Sequence, residues 1–122
     1  MTEVTLYRPV GVEELRLIED SDFTTFPPRL PEQPIFYPVT NEAYAAQIAR
    51  EWNTRFGSER GYVTRFQMDG AFLAQFEPRK VGGRMREEYW IPAERLDEFN
   101  MHIIGPIEVI ATFAPQEAEA GA

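Results

Sequence analysis

The side chains able to do chemistry in this chain are arginine, tyrosine and glutamate, and three short segments concentrate them. In Tyr7-Arg8-Pro9 an arginine follows the apolar run Val4 to Tyr7, at the expected end of a strand. Its guanidinium offers a planar fork of N–H donors that fits a phosphate or carboxylate bidentately. The plain alternative is an exposed arginine at a turn. Tyr37 closes Ile35-Phe36-Tyr37 and reads either as a ring lining a pocket or as an ordinary rim tyrosine. The third segment is Arg86-Glu87-Glu88-Tyr89-Trp90-Ile91-Pro92. Strand alternation puts Glu88 and Trp90 on one face and Glu87, Tyr89 and Ile91 on the other. Glu88 beside a large ring reads as a carboxylate partly withdrawn from water, against the alternative of a solvated charge on a half-exposed strand.

Much other chemistry is excluded by composition. The 122 residues include no cysteine, so there is no disulfide, thiolate nucleophile or cysteine-bound metal. The only histidine is His102, beside Gly105-Pro106, and it reads as structural rather than as a base or ligand. Neither the phosphate-binding P-loop pattern nor the dinucleotide pattern Gly-x-Gly-x-x-Gly occurs, and no loop suggests a metal site. The net charge of −8 disfavours nucleic acid except at a local basic patch. Arg79, Lys80, Arg84 and Arg86 form such a patch; Arg84 and Arg86 are candidates to meet a phosphate or an acceptor, against the alternative of a solvated hairpin. The first residues lack the basic and apolar regions of a signal peptide, and no run reaches the ~20 apolar residues of a membrane span. A cytoplasmic protein without membrane partners is the expectation.

Alternating short strands and helices must position these groups. Val4 to Tyr7 reads as a strand and Val12 to Ile18 as a helix with Leu15 and Ile18 on one face. Pro27, Pro28, Pro31 and Pro34 make the next stretch a stiff loop, before the strand Ile35 to Tyr37. Asn41 reads as the N-cap of a helix carrying Tyr44, Ile48 and Trp52 at every fourth position. Tyr62 to Phe66 is a strand, and Asp69 caps a short helix through Phe72, Leu73 and Phe76. Val81-Gly82-Gly83-Arg84 is a hairpin turn leading to the strand Glu88 to Ile91. Pro92 opens a helix with Leu96 and Phe99, and Ile107 to Phe113 is the last strand. This order lacks a regular βαβ rhythm and predicts an α+β fold: small, mainly antiparallel, twisted sheets with short flanking helices. Residues 1–113 read as one domain and 114–122 as a disordered tail.

The strand Glu87-Glu88-Tyr89-Trp90-Ile91-Pro92 resembles the catalytic strand of arginine-type ADP-ribosyltransferases, where the catalytic glutamate precedes an Ile-Pro pair. In that register Glu88 takes the catalytic place. Arg8 resembles the first-strand arginine that holds the phosphates of NAD, and Tyr37 resembles the second strand lining the nicotinamide pocket. The chain to about Phe113 is also similar to short bacterial proteins labelled ADP-ribosylation/crystallin-J type. The shared segments are Leu6 to Pro9, Phe26 to Pro31, Ile35 to Val39, Glu88 to Ala93 and Gly105 to Ile110. That label borrows from ADP-ribosylglycohydrolases, large helical dimetal enzymes that this short, strand-rich chain does not resemble. The resemblance implies an ADP-ribosyltransferase-like fold, NAD as substrate, no metal, and a protein or nucleic acid as acceptor. Arg86 departs from the transferase pattern, which has glutamine or glutamate two residues before the catalytic glutamate, and Tyr37 to Thr40 replaces its Ser-Thr-Ser motif. Those departures keep open a second expectation, a non-catalytic module that binds a nucleotide or ADP-ribose.

Overall fold

The structure, a computed structural model, describes residues 2–53, 60–82 and 86–114, at 52 and 53 without their side chains. Its frame is a three-stranded antiparallel sheet in the order β1-β3-β7, from Glu3–Val10 (β1), Gly61–Asp69 (β3) and Ile103–Phe113 (β7). All three strands run longer than the apolar runs that announce them. In β1 the extension past Tyr7 includes Pro9, which sits opposite Val63. β1 is an edge strand of that sheet, where a missing N–H costs no internal ladder bond. Arg8 therefore lies within the strand rather than at its end. Near the start of β7, Gly105 with φ 76° and Pro106 accompany a register shift against β3, the signature of a bulge that bends the strand.

The helices are short and set by local signals. In α1, Val12–Asp20, Leu15 and Ile18 are buried as their spacing predicts, and Glu13 and Glu14 in the first turn suit its dipole. The Asn41 side chain accepts from the Tyr44 N–H at 2.9 Å and starts α2, Glu42–Ile48. The next turn, Ala49–Asn53, is π-helical, so the four-residue spacing does not continue as one α-helix. Asp69 accepts from the Ala71 N–H at 3.1 Å and caps α3, Gly70–Leu73. Pro92 precedes rather than opens the next helical segment: a 3₁₀ turn at Ala93–Arg95 leads into α4, Leu96–Met101.

The remaining strands are two residues each: β2 (Ile35–Phe36), β4 (Arg79–Lys80), β5 (Glu87–Glu88) and β6 (Ile91–Pro92). Although broken, the segments 34–40 and 87–93 run antiparallel in one continuous register. Thr40 donates to the Glu87 carbonyl, Val39 bridges Glu88, Tyr89 donates to the Pro38 carbonyl, and β2 pairs with β6. The break falls where Pro38 has no N–H to return to Tyr89, which explains why the strand expected from Glu88 to Ile91 is split. Every strand pairing among the described residues is antiparallel, so the protein is a small α+β fold with antiparallel sheets and few short helices.

The main core is aromatic. Phe26, Phe36, Phe66 and Phe99 are buried with Leu6, Ile18, Ile91 and Ile107. Phe26 meets Phe36 at 5.1 Å and Phe66 at 4.9 Å between ring centroids, and Phe36 meets Phe99 at 5.4 Å. Such tilted and edge-on contacts add roughly 0.5–1.5 kcal/mol each beyond burial. Asn100 pins the proline loop to this core, accepting from the Phe26 N–H and donating to its carbonyl, both at 3.0 Å. Of the expected tail, 114–122, residues 115–122 lie outside the described residues.

Candidate functional site

Three chain segments meet side by side. Tyr7 of β1 exchanges two backbone hydrogen bonds with Val39, at 2.9 and 2.8 Å, and Val39 in turn bridges Glu88. β1, the 34–40 segment and the 87–93 segment are thereby neighbours. Beyond Tyr7 no further bridge joins β1 to the 34–40 segment, and Pro9 lacks the N–H to extend one. A cavity of about 380 Å³ opens there, lined among others by Arg8, Glu14, Arg29, Gln33, Tyr37 and Glu88. Its volume lies in the ordinary range for small-molecule sites, roughly 300–1,000 Å³. Arg8, Tyr37 and Glu88, singled out from three separate stretches of sequence, share this one hollow.

At one end the cavity is built on arginines. Arg8 is buried, and its guanidinium carbon lies 4.7 Å from the Phe36 ring centroid. Its Nε and Nη2 donate to the two carboxylate oxygens of Glu14 at 2.9 and 3.0 Å, a bidentate pair. Its Nη1 reaches the Tyr37 carbonyl at 3.4 Å. The arginine expected to receive a phosphate is thus already engaged by a carboxylate. Arg29, from the proline loop, also sits over Phe36, at 6.0 Å. It makes no hydrogen bond or ion pair among the described residues, and its Nε is buried without a partner. Burial, then the positive charge of Arg8, pull its pKa below the ordinary arginine value, while Glu14 and Tyr37 oppose that shift. It nonetheless remains a cation near neutral pH, as arginines do in proteins.

At the other end Glu88 is held by neutral donors. The Trp90 indole N–H donates to one carboxylate oxygen at 2.8 Å and the Tyr44 hydroxyl to the other at 3.2 Å. Glu88 and Trp90 do share a face, but the polar edge of the ring meets the carboxylate, not an apolar face. The Tyr44 phenol is pushed above its ordinary pKa by burial, then by the Glu88 charge and the hydrogen bond to it, so it stays protonated and donating at neutral pH. Two further arginines stand over those donors: Arg79 over Trp90 at 4.4 Å and Arg86 over Tyr44 at 6.0 Å. The Tyr37 ring is partly exposed and meets Trp90 edge-on at 6.0 Å, as direct cross-strand neighbours do at a non-hydrogen-bonded pair.

Arg86 thus lies beside Tyr44 and reaches Gln47 at 3.4 Å, rather than lining the cavity. Arg84 lies outside the described residues. His102 is engaged locally: its Nδ1 meets the Glu98 carbonyl at 2.9 Å and its ring stacks on Phe72 at 4.2 Å. No group of three or more acidic or histidine side chains suited to a metal ion occurs among the described residues. No described helix is long and apolar enough to cross a membrane.

A larger hollow, of about 470 Å³, lies among the end of α1, the proline loop and α4. It is lined by Leu17, Pro27, Pro28 and Met101 with the acids Asp20 and Asp97, and it contains no cationic side chain. Its Asn100 is committed to the Phe26 backbone. The smaller cavity, which carries both cationic and anionic side chains, is therefore the better candidate.

Glu14, Arg29 and Tyr44 also belong to this site, although little in the sequence marks them. Glu14 had one faint signal, an acid in a first helical turn six residues after Arg8. Arg29 had another, the single cation of a stiff loop. Nothing local linked Tyr44 to Glu88. No family model, curated protein or solved structure significantly matches this chain.

Proposed function

We propose that the cavity binds NAD or a closely related nucleotide and that Glu88 supports transfer of its ADP-ribosyl group to an acceptor. The observation that carries this reading is the convergence of Arg8, Tyr37 and Glu88 on one cavity of about 380 Å³. The nicotinamide ring lies against Tyr37, and its ribose hydroxyls donate to Glu88. The bond between the ribose carbon and the ring nitrogen breaks with its electron pair leaving on nicotinamide. The cationic ribose is stabilised by Glu88 until the acceptor attacks its anomeric carbon and gives up a proton to solvent. A carboxylate fixed beforehand by Tyr44 and Trp90 does not have to reorganise as that charge develops, and such preorganised electrostatics is commonly the largest catalytic contribution.

A second reading, a nucleotide- or ADP-ribose-binding module without turnover, is favoured by Arg86. It leans on Tyr44 and Gln47, away from the cavity, so the position associated with choosing an acceptor does not face the ligand. Calorimetric titration with NAD and ADP-ribose, run beside an assay for released nicotinamide, separates the two. Binding with release supports transfer or hydrolysis, and binding without release supports the module. Absence of both signals removes the nucleotide reading altogether.

A further inference from the structure

The charge arrangement at the arginine end is incomplete. Two guanidinium groups are held over one phenylalanine ring, Arg8 at 4.7 Å and Arg29 at 6.0 Å from its centroid. Placing like charges together in a partly desolvated site is unfavourable unless an anion offsets them. Glu14 hydrogen-bonds only Arg8, both of its carboxylate oxygens taking N–H groups from that residue, and it acts on Arg29 only through space. Arg29 has its Nε withdrawn from water and no acceptor among the described residues. A buried polar atom left unpaired carries a desolvation penalty, so its persistence needs a reason.

The loop that delivers Arg29 is built to hold position. Phe26 is buried in the aromatic core and locked by Asn100. Pro27 and Pro28 limit the backbone, the Gln33 N–H closes a turn on the Leu30 carbonyl at 2.8 Å, and Ala93 holds the Pro34 carbonyl at 2.8 Å. Arg29 also stands at a boundary. It lines both the 380 Å³ cavity and an adjoining hollow of about 210 Å³ whose other walls are Leu17, Pro27, Pro28 and Leu30, with Glu13, Glu14 and Gln33 at its border. One hollow leads to Glu88 and Tyr37; the other is mainly apolar.

We infer that Arg29 is the anion anchor of this cleft, receiving a phosphate group of the ligand at the wall between the two hollows, while Glu14 keeps Arg8 as a fixed structural cation behind it. The inference builds on the nucleotide reading but needs only the anion. The ligand it specifies carries its phosphate between two unlike halves: a ribose-bearing half toward Glu88, and a half with an apolar face toward Leu30 and the prolines. A free phosphate or pyrophosphate satisfies the same donors without either half.

The test follows the side-chain Nε–H resonance of Arg29 in labelled protein during titration with inorganic pyrophosphate, then separately with NAD. The expected result is a saturable shift of that resonance with both, and a pyrophosphate affinity that drops roughly 10- to 100-fold in Arg29→Gln, the usual range for a charge-assisted hydrogen bond. Arg29→Lys should recover part of that loss. A shift with pyrophosphate but not NAD keeps the anchor and overturns the nucleotide reading. NAD binding that leaves the Arg29 resonance in place overturns the anchor and keeps the nucleotide reading. No response to either anion overturns the anchor outright. Because the resonance is read in unmodified protein, the outcome does not depend on the variants folding.

Discussion

The two ends of the cleft use the same residue types to opposite effect. At one end, Arg8 and Glu14 close on each other with two short hydrogen bonds, their side chains 10% and 19% exposed. At the other, Glu88 is held by a phenol and an indole, which fix its direction without cancelling its charge. A charge met by its opposite becomes part of the framework; one held by neutral donors stays available to a ligand. By that standard the sequence's two best charged candidates divide: Arg8 is committed to an ion pair, and Glu88 is the one left for the proposed ligand.

The largest effect should come from breaking the closed end. Glu14→Ala leaves the guanidinium of Arg8 buried and unpaired, and should cost about 3–5 kcal/mol in urea unfolding. Replacing both partners by apolar residues, Arg8→Met with Glu14→Leu, should return most of that loss. A cost under about 1 kcal/mol for Glu14→Ala would place the pair among ordinary surface ion pairs and erase the contrast.

Glu88→Gln tests the open end. Nicotinamide release should fall by about 10²–10³, while unfolding free energy stays within about 0.5 kcal/mol of wild type. A variant that loses stability instead of turnover would make Glu88 another piece of framework.

Tyr44→Phe sharpens the same contrast at smaller scale, removing a donor to a charged acceptor at a cost of about 1–2 kcal/mol. It also carries a pH signature. The folded-state pKa of Tyr44 is raised, so its contribution to stability is complete below the ordinary tyrosine pKa and lost as pH climbs through the raised value. Thermal melts from about pH 8 to 11, spanning the ordinary tyrosine pKa, should show a fall in wild type that is shallower in Tyr44→Phe. Tyr89, also raised by burial and by Glu87, supplies a background decline common to both. The smallest effect should be Arg79→Ala, which removes a cation from over the exposed Trp90 ring; about 0.5 kcal/mol is expected, with a change in indole fluorescence.

What the sequence makes legible is what short-range rules control. The caps at Asn41 and Asp69, the buried Leu15 and Ile18, and the shared face of Glu88 and Trp90 each depend on residues two to four apart. The antiparallel α+β class follows from the same patterns. What stays hidden depends on how distant segments meet. The reach of β1 past Tyr7 depends on which edge of the sheet Pro9 occupies. The Arg8–Glu14 pair depends on how α1 leaves β1 after Gly11, and Tyr44 meets Glu88 across 44 residues of sequence. Alternation is even misleading here. Through the Tyr7–Val39 and Val39–Glu88 bridges, Arg8 and Glu88 fall nominally on opposite faces. They line one cavity because the segments part beyond Tyr7 and the hollow opens in the split.

The most direct measurement is a crystal structure of the protein with NAD bound. The nicotinamide should lie against Tyr37, a ribose hydroxyl within hydrogen-bond distance of Glu88, and phosphate oxygens at the arginine end. NAD seated in the hollow between α1 and α4, or an unchanged cleft at a saturating NAD concentration, would contradict it.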